Sequence, residues 1–186
     1  MKKTTWFWPL YVLVLAVLCS ADTVNLVPTV IASTIKISVP QTFNLVSGNA
    51  DGVSSGFSIK KPTANNLATY QDKRTQADFS VSQTPTPWSD KDVEMLRDFY
   101  RANIKALYTN VVFSKDAVEK INKKQFAVFE FMSEVAEKDK PTIKKYTYIQ
   151  YTVRKQKVYV FNFTCSERDR ALWQPSVNEM MHTVKF

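Results

Sequence analysis

The sequence predicts an α+β fold, an antiparallel β-sheet meander sandwiched between helices in an α/β/α arrangement, and three observations carry that expectation. One stretch before Asn110 repeats its apolar residues at the helical period. After it the period drops to two and the composition turns to valine, threonine and aromatic residues. Several of these later runs are apolar on both faces, and a sheet with two apolar faces must be covered on both sides.

The helix is the best-marked element. Ser89, with Asp92 three residues on, supplies a start signal, and Val93, Leu96, Tyr100, Ile104 and Leu107 form one stripe at three- and four-residue steps. Its end is expected near Asn110. The runs "QFAVFEFMSEV", "TIKKYTYIQYTV" and "KVYVFNFTC" follow, separated by the polar turns "EKDKP" and "RKQK". Phe126 and Val128 oppose Ala127, Phe129 and Phe131, while Val158 and Val160 oppose Tyr159, Phe161 and Phe163. The run "VVFSKDAVEKIN" suits a strand or a short helix, because its Ser, Asp and Glu spacing fits both.

Upstream, "TIKISVPQTFNLV" reads as a strand that stops at Pro40, since proline has no N–H to give a ladder. "GFSIKK" and "QADFSVSQ" read as further short strands. All three glycines fall in "SGNADGVSSG", which marks a loop or a long hairpin connection. At the other end of the chain, Val177, Met180, Met181 and Val184 make the buried stripe of a closing helix. Pro175 is expected in its first turn, after a solvated turn of Arg168, Asp169 and Arg170.

The first segment has the order of a secretory signal. Lys2 and Lys3 precede an apolar stretch, 6–18, broken only by Pro9, and the small residues Cys19, Ser20 and Ala21 precede Asp22. Residues 1–21 are therefore expected to be a signal peptide, 22–33 a leader and 34–186 a single domain. Two alternatives put the protein on a membrane: an uncleaved leader, or acylation of Cys19 as a lipoprotein. Cleavage after Ala21 leaves Cys165 as the only thiol, so the fold must stand on its apolar core without an internal disulfide. The net charge of +8 stays positive after Lys2 and Lys3 are lost, which suits an anionic partner or merely keeps the protein soluble.

Reactive chemistry is sparse. On its strand Cys165 shares a face with Phe163, Phe161 and Tyr159, where a thiol is a poor nucleophile. His182, the only histidine, projects away from the buried stripe of the closing helix. A thiol on a core face and an imidazole on the far side of a helix do not converge on one substrate. One histidine and one thiol do not make the usual zinc set, no acidic loop has calcium spacing, and the glycines lack the order of a phosphate loop. Asp90 and Asp92 sit where a helix start favours negative charge. The sequon at Asn162 falls inside a strand and is discounted. No catalytic residue, cofactor or metal is expected.

One feature points to binding. In a meander, alternate turns lie at the same end of the sheet, which gathers Lys123 and Lys124 with Arg154, Lys155 and Lys157. These five are the candidate partner-binding residues, for a protein or an anionic envelope component rather than a nucleic acid.

The strand ending "ISVP", the "PW" turn before the long helix, "QFAVFEF", "VYVFNFTC" and "LWQPSVNEMMHTVKF" together resemble the PsbP and DcrB-like superfamily, which also includes the Ran-binding Mog proteins. The likeness runs from about Thr34 to Phe186. It implies an antiparallel sheet between helices and a non-enzymatic accessory protein that works by binding, here a bacterial exported member. The glycine loop and the lack of a plant-type targeting sequence depart from the pattern and argue against a photosystem role. The sequence reading is thus an exported accessory protein, periplasmic or secreted. The alternative is a small-molecule or lipid carrier, or an enzyme, with a pocket under the 48–56 loop. Mass measurement of the exported protein is expected to give an N-terminus at Asp22; an acylated Cys19 would replace the secreted form with a lipoprotein.

Overall fold

The computed structural model describes residues 24–48, 50–51, 65–135 and 142–186. In chain order the elements are β1 (Leu26–Ile31), β2 (Ile35–Pro40), β3 (Phe43–Gly48), β4 (Ala50–Asp51), β5 (Asn66–Asp72), β6 (Asp78–Pro85), α1 (Val93–Leu107), β7 (Thr109–Ile121), β8 (Lys124–Val135), β9 (Ile143–Arg154), β10 (Lys157–Ser166) and α2 (Arg170–His182). A 3-10 turn, Glu167–Asp169, leads into α2. The main sheet is antiparallel, in the order β3-β5-β6-β10-β9-β8-β7, and β2-β1-β4 form a second, smaller one. The α+β class follows directly.

Alternation along β8, β9 and β10 divides the core into two layers. On one face Phe126, Val128, Tyr146, Tyr148, Phe161, Phe163 and Cys165 meet Trp173, Val177, Met180 and Met181 of α2. On the other, Ala127, Phe129, Phe131, Ile149 and Tyr151 meet Val93, Leu96 and Ile104 of α1. Each fully buried aromatic or branched side chain here contributes on the order of 2 kcal/mol. The helices therefore flank the sheet as expected, with one addition: Ile31, Ile35 and Ile37 of the β1–β2 hairpin share the α2 layer.

That hairpin corrects the expected leader at 22–33. Its residues pair with β2 from Leu26 opposite Pro40 to Ile31 opposite Ile35, and Ile31 is fully buried. Pro28 hid the strand from sequence reasoning. Proline is tolerated there because β4 reaches only Val30 and Ile31, so β1 has a single partner strand at Pro28. Likewise β5 was masked by its polar content: only Ala68, Tyr70 and Asp72 turn inward.

The ambiguous run after α1 is a strand. As β7 it forms the sheet edge, with register shifts at Thr109/Val112 and Phe113/Lys115. Such bulges disturb the alternation that would have marked it. Helix α1 ends at Leu107 rather than near Asn110, and Leu107 is 80% exposed instead of joining the buried stripe. At its start the carboxylate of Asp92 accepts hydrogen bonds from both the N–H and the hydroxyl of Ser89. In α2, Pro175 sits inside the helix beyond the first turn, because the helix already starts at Arg170. The expected "GFSIKK" strand lies outside the described residues.

The β5–β6 connection is tied to α2. Asp72 accepts from the N–H groups of Arg74 and Thr75 and from the Thr75 hydroxyl, and Trp173 Nε1 donates to that same hydroxyl at 3.1 Å. Burial alone would raise the Asp72 carboxyl, but the hydrogen bonds from Thr75, Thr42 and Arg74 hold it below the usual carboxylate range. A depressed folded-state pKa gives stability that is present above about pH 4 and is lost as pH falls through the folded value. Asp72→Asn is therefore expected to cost about 1–3 kcal/mol at neutral pH. Urea titrations across pH should show this difference shrinking in acid, and a constant difference would contradict the assignment.

Candidate functional site

Two tight turns build the candidate site. Asn122 and Lys123 join β7 to β8 with φ of 45° and 71°, and Lys155 and Gln156 join β9 to β10 with φ of 49° and 55°. Both central residues of each turn are left-handed, as type I′ hairpins require, a conformation that glycine or Asn-Gly usually fills. Three side-chain-bearing residues other than asparagine, each strained by about 1 kcal/mol, occupy these places. Two of them are lysines.

The meander brings both turns to one end of the sheet. A cavity of about 560 Å³ there is lined by Asn122, Lys123, Lys124, Arg154, Lys185 and Phe186. Beside it, Lys123 and Lys124 join Lys120 and Asp90 around a second cavity of about 270 Å³. A third, about 530 Å³, runs from Asn122 and Lys185 to Lys36 and His182. Of the five residues expected to cluster, Lys123, Lys124 and Arg154 thus line one cavity. Lys155 stands exposed in the adjoining turn, and Lys157 donates to Gln83 Oε1 at 3.4 Å on the β6 side.

Neighbouring side chains fix the site without neutralising it. Asn122 donates to the carbonyls of His182 and Val184, which anchors the β7–β8 turn to the end of α2. The guanidinium of Arg154 lies over the Phe186 ring at 5.1 Å, and Phe186 packs on Tyr159. Lys36 and Lys185 exchange backbone hydrogen bonds at 2.8 Å, which adds two exposed lysines to the basic end. Lys124 lies 3.7 Å from Asp90, while Lys123, Lys155 and Lys185 make no ion pair among the described residues. Sequence reasoning missed Lys36 and Lys185 because only the tertiary bridge unites them. The alternation of Lys36 between buried Ile35 and Ile37 marks it as outward-facing but does not place it at this end.

Cys165 and His182 do not meet. The thiol is buried at the end of β10 remote from Lys157, about 26 Å along the strand. Helix α2 runs back toward the basic end, where exposed His182 faces the Asn178 carbonyl and, at 3.4 Å, Glu119. Burial, with a smaller contribution from Asp169, pushes the Cys165 thiol up to about 12. The neighbouring turn is less solvated than expected: Arg168 is exposed, but Arg170 approaches buried Glu130 and lies over the Tyr146 ring. Among the described residues no group of metal-ligating side chains is found.

An apolar cleft of about 260 Å³ opens elsewhere, between α1 and the sheet, lined by Tyr100, Ile104, Phe131 and Tyr151. The pocket expected under the 48–56 loop lies mostly outside the described residues.

Three solved structures share this architecture. The chain matches a protein of unknown function, PA94, from Pseudomonas aeruginosa at TM-score 0.51 and 10% identity, covering 81% of this chain and 90% of that one. It matches the cyanobacterial PsbP of Synechocystis sp. PCC 6803 at TM-score 0.53 and 12% identity, over 90% and 98% of the two chains. It matches LpqN of Mycobacterium tuberculosis, involved in cell envelope biogenesis, at TM-score 0.52 and 9% identity, over 81% and 82%. No protein-family model and no curated protein matches the chain. The fold is PsbP-like, and identities this low carry the fold alone.

At neutral pH a thiol with Cys165's burial has a thiolate fraction on the order of 10⁻⁴ or below. Alkylation of Cys165 in the native protein is expected to be at least about 100-fold slower than in denaturant. Equal rates would place the thiol in an open, reactive setting.

Proposed function

We propose that the protein is an exported, non-enzymatic accessory protein that binds an anionic partner, a protein or a component of the cell envelope, through the basic end of its sheet. The observation that carries this reading is the placement of Lys123 and Lys155 on strained turns beside Lys124, Arg154 and Lys185. Strain of that kind is retained where the surrounding structure holds it, and functional sites are where it concentrates. The exposed lysines around the cavities offer several unpaired ammonium groups to one surface. Carboxylate or phosphate groups would meet them, and salt would weaken the contact.

A non-enzymatic role is supported by the separation of Cys165 from His182 and by the buried, protonated state of the thiol. Export is supported by the order of residues in the first segment and by the likeness in fold to an envelope-biogenesis protein and a PsbP protein. A carrier reading has one specific observation behind it, the aromatic cleft beside Tyr100 and Tyr151. Its modest volume suits a single ring or a short chain rather than a large ligand.

The test is charge reversal. Each lysine at an anionic surface contributes about 1 kcal/mol, so Lys123→Glu, Lys124→Glu and Lys155→Glu together are expected to weaken binding at least about 100-fold. Crosslinking in the native envelope identifies the partner, and titration of wild type and variant against it, or against anionic vesicles, measures the loss. Binding that is unchanged by the reversals and by salt would discard the basic end as the docking surface.

A further inference from the structure

Helix α1 is apolar on two sides. Val93, Leu96 and Ile104 face the sheet and are buried. Met95, Phe99, Ala102 and Ala106 are exposed, with Met95 at 56% and Phe99 at 49%. These four recur at steps of four, three and four residues, the a/d spacing of a coiled-coil seam, centred about 140° around the helix from the buried stripe. None of them joins the buried stripe, although one side of the Phe99 ring packs against Trp88 and Tyr100.

We propose that this seam packs antiparallel against the same helix of a second copy of the chain. Two features of α1 select that occupant and that direction. First, the seam begins with large residues and ends with small ones. Antiparallel pairing sets Met95 opposite Ala106 of the second copy and Phe99 opposite Ala102, so every layer joins one large and one small side chain. Parallel pairing would oppose Met95 to Met95 and Phe99 to Phe99 at one end and alanine to alanine at the other, crowding the first layers and leaving voids in the last. Second, the exposed residues Asp98 and Lys105 are seven apart and occupy the same heptad flank. In the antiparallel pair Asp98 of each copy meets Lys105 of the other, at two symmetric places. In the parallel pair this flank faces the opposite flank of the second copy, which sets Asp98 beside Asn103 and leaves the charge without a partner.

Asp98 already contacts Arg97 and Arg101 at 3.2 and 3.4 Å, and its side chain remains 62% exposed, so it can accept from a second cation. Helix α1 has 15 residues and is about 22 Å long. A contact confined to it falls below the roughly 1,200 Å² of a standard stable interface, so the dimer is a weak, concentration-dependent one. The start of α1 lies at the basic end, where Asp90 approaches Lys124. Antiparallel pairing therefore puts the two basic ends at opposite poles, a bivalent arrangement whose use rests on the proposed function while the dimer itself does not.

Sedimentation velocity of the full chain over roughly 10 μM to 1 mM tests the pairing. The wild type is expected to shift reversibly toward a dimer. Ala102→Glu, a helix-compatible change at an exposed position, is expected to abolish the shift. Asp98→Lys and Lys105→Asp are each expected to weaken it at least about tenfold. Their combination restores the charge pairs and should recover the wild-type affinity, which a merely unfolded variant cannot do; far-ultraviolet circular dichroism of each variant confirms the fold. A wild type that stays monomeric throughout, a dimer indifferent to Ala102→Glu, or a double variant no tighter than the singles would each overturn the proposal. The triple lysine reversal at the basic end leaves this equilibrium unchanged, so failure of one idea is distinguishable from failure of the other.

Discussion

The two apolar faces of the β8–β9–β10 meander are the constraint on which everything else depends. Alternation along a strand sends Phe126 and Phe161 to one side and Phe129 and Val158 to the other, and neither side can be left to water. One long helix covers the first strands on one face. A shorter helix and a folded-over hairpin cover the other. Among the described residues no disulfide supplements this packing, because Cys165 is their only thiol. The core itself must supply the stability.

The same constraint decides the chemistry. Pinning β10 at the centre of the sheet places Cys165 among Phe163, Tyr146 and Trp173, where ionisation is disfavoured. Laying α2 across the sheet carries its last turn, and His182 with it, to the far end. The antiparallel meander then stacks its alternate two-residue turns, β7–β8 and β9–β10, at one end, and in this sequence those turns carry lysines. What the fold offers is consequently a rigid basic end on a packed body, with a helix whose outer side is itself apolar.

Much of this was legible from the sequence, and the exceptions have physical causes. Helix α1, the meander and the closing helix announce themselves because each has a clean period and a polar boundary. The burial of Cys165 and the exposure of His182 followed from alternation and helical geometry alone. β1 was hidden by Pro28, β5 by its polar side chains and β7 by two bulges, each a place where tertiary context overrides local pattern. At the candidate site the turns placed Lys123, Lys124 and Arg154 together correctly in space. Lys36 and Lys185, 149 positions apart, could join them only through a bridge between an early strand and the last residues, which no local signal records. The second apolar stripe of α1 was present in the sequence but is informative only once the structure shows which stripe is buried.

Hydrogen exchange of the full chain probes the two-faced meander most directly. Covered on both sides, the amides of 126–131, 146–153 and 158–163 should exchange last and together, at the rate of global unfolding. Exchange of these strands ahead of the amides of α1 or α2 would mean that the sheet opens while its helices persist, and the account of a core held from both faces would be wrong.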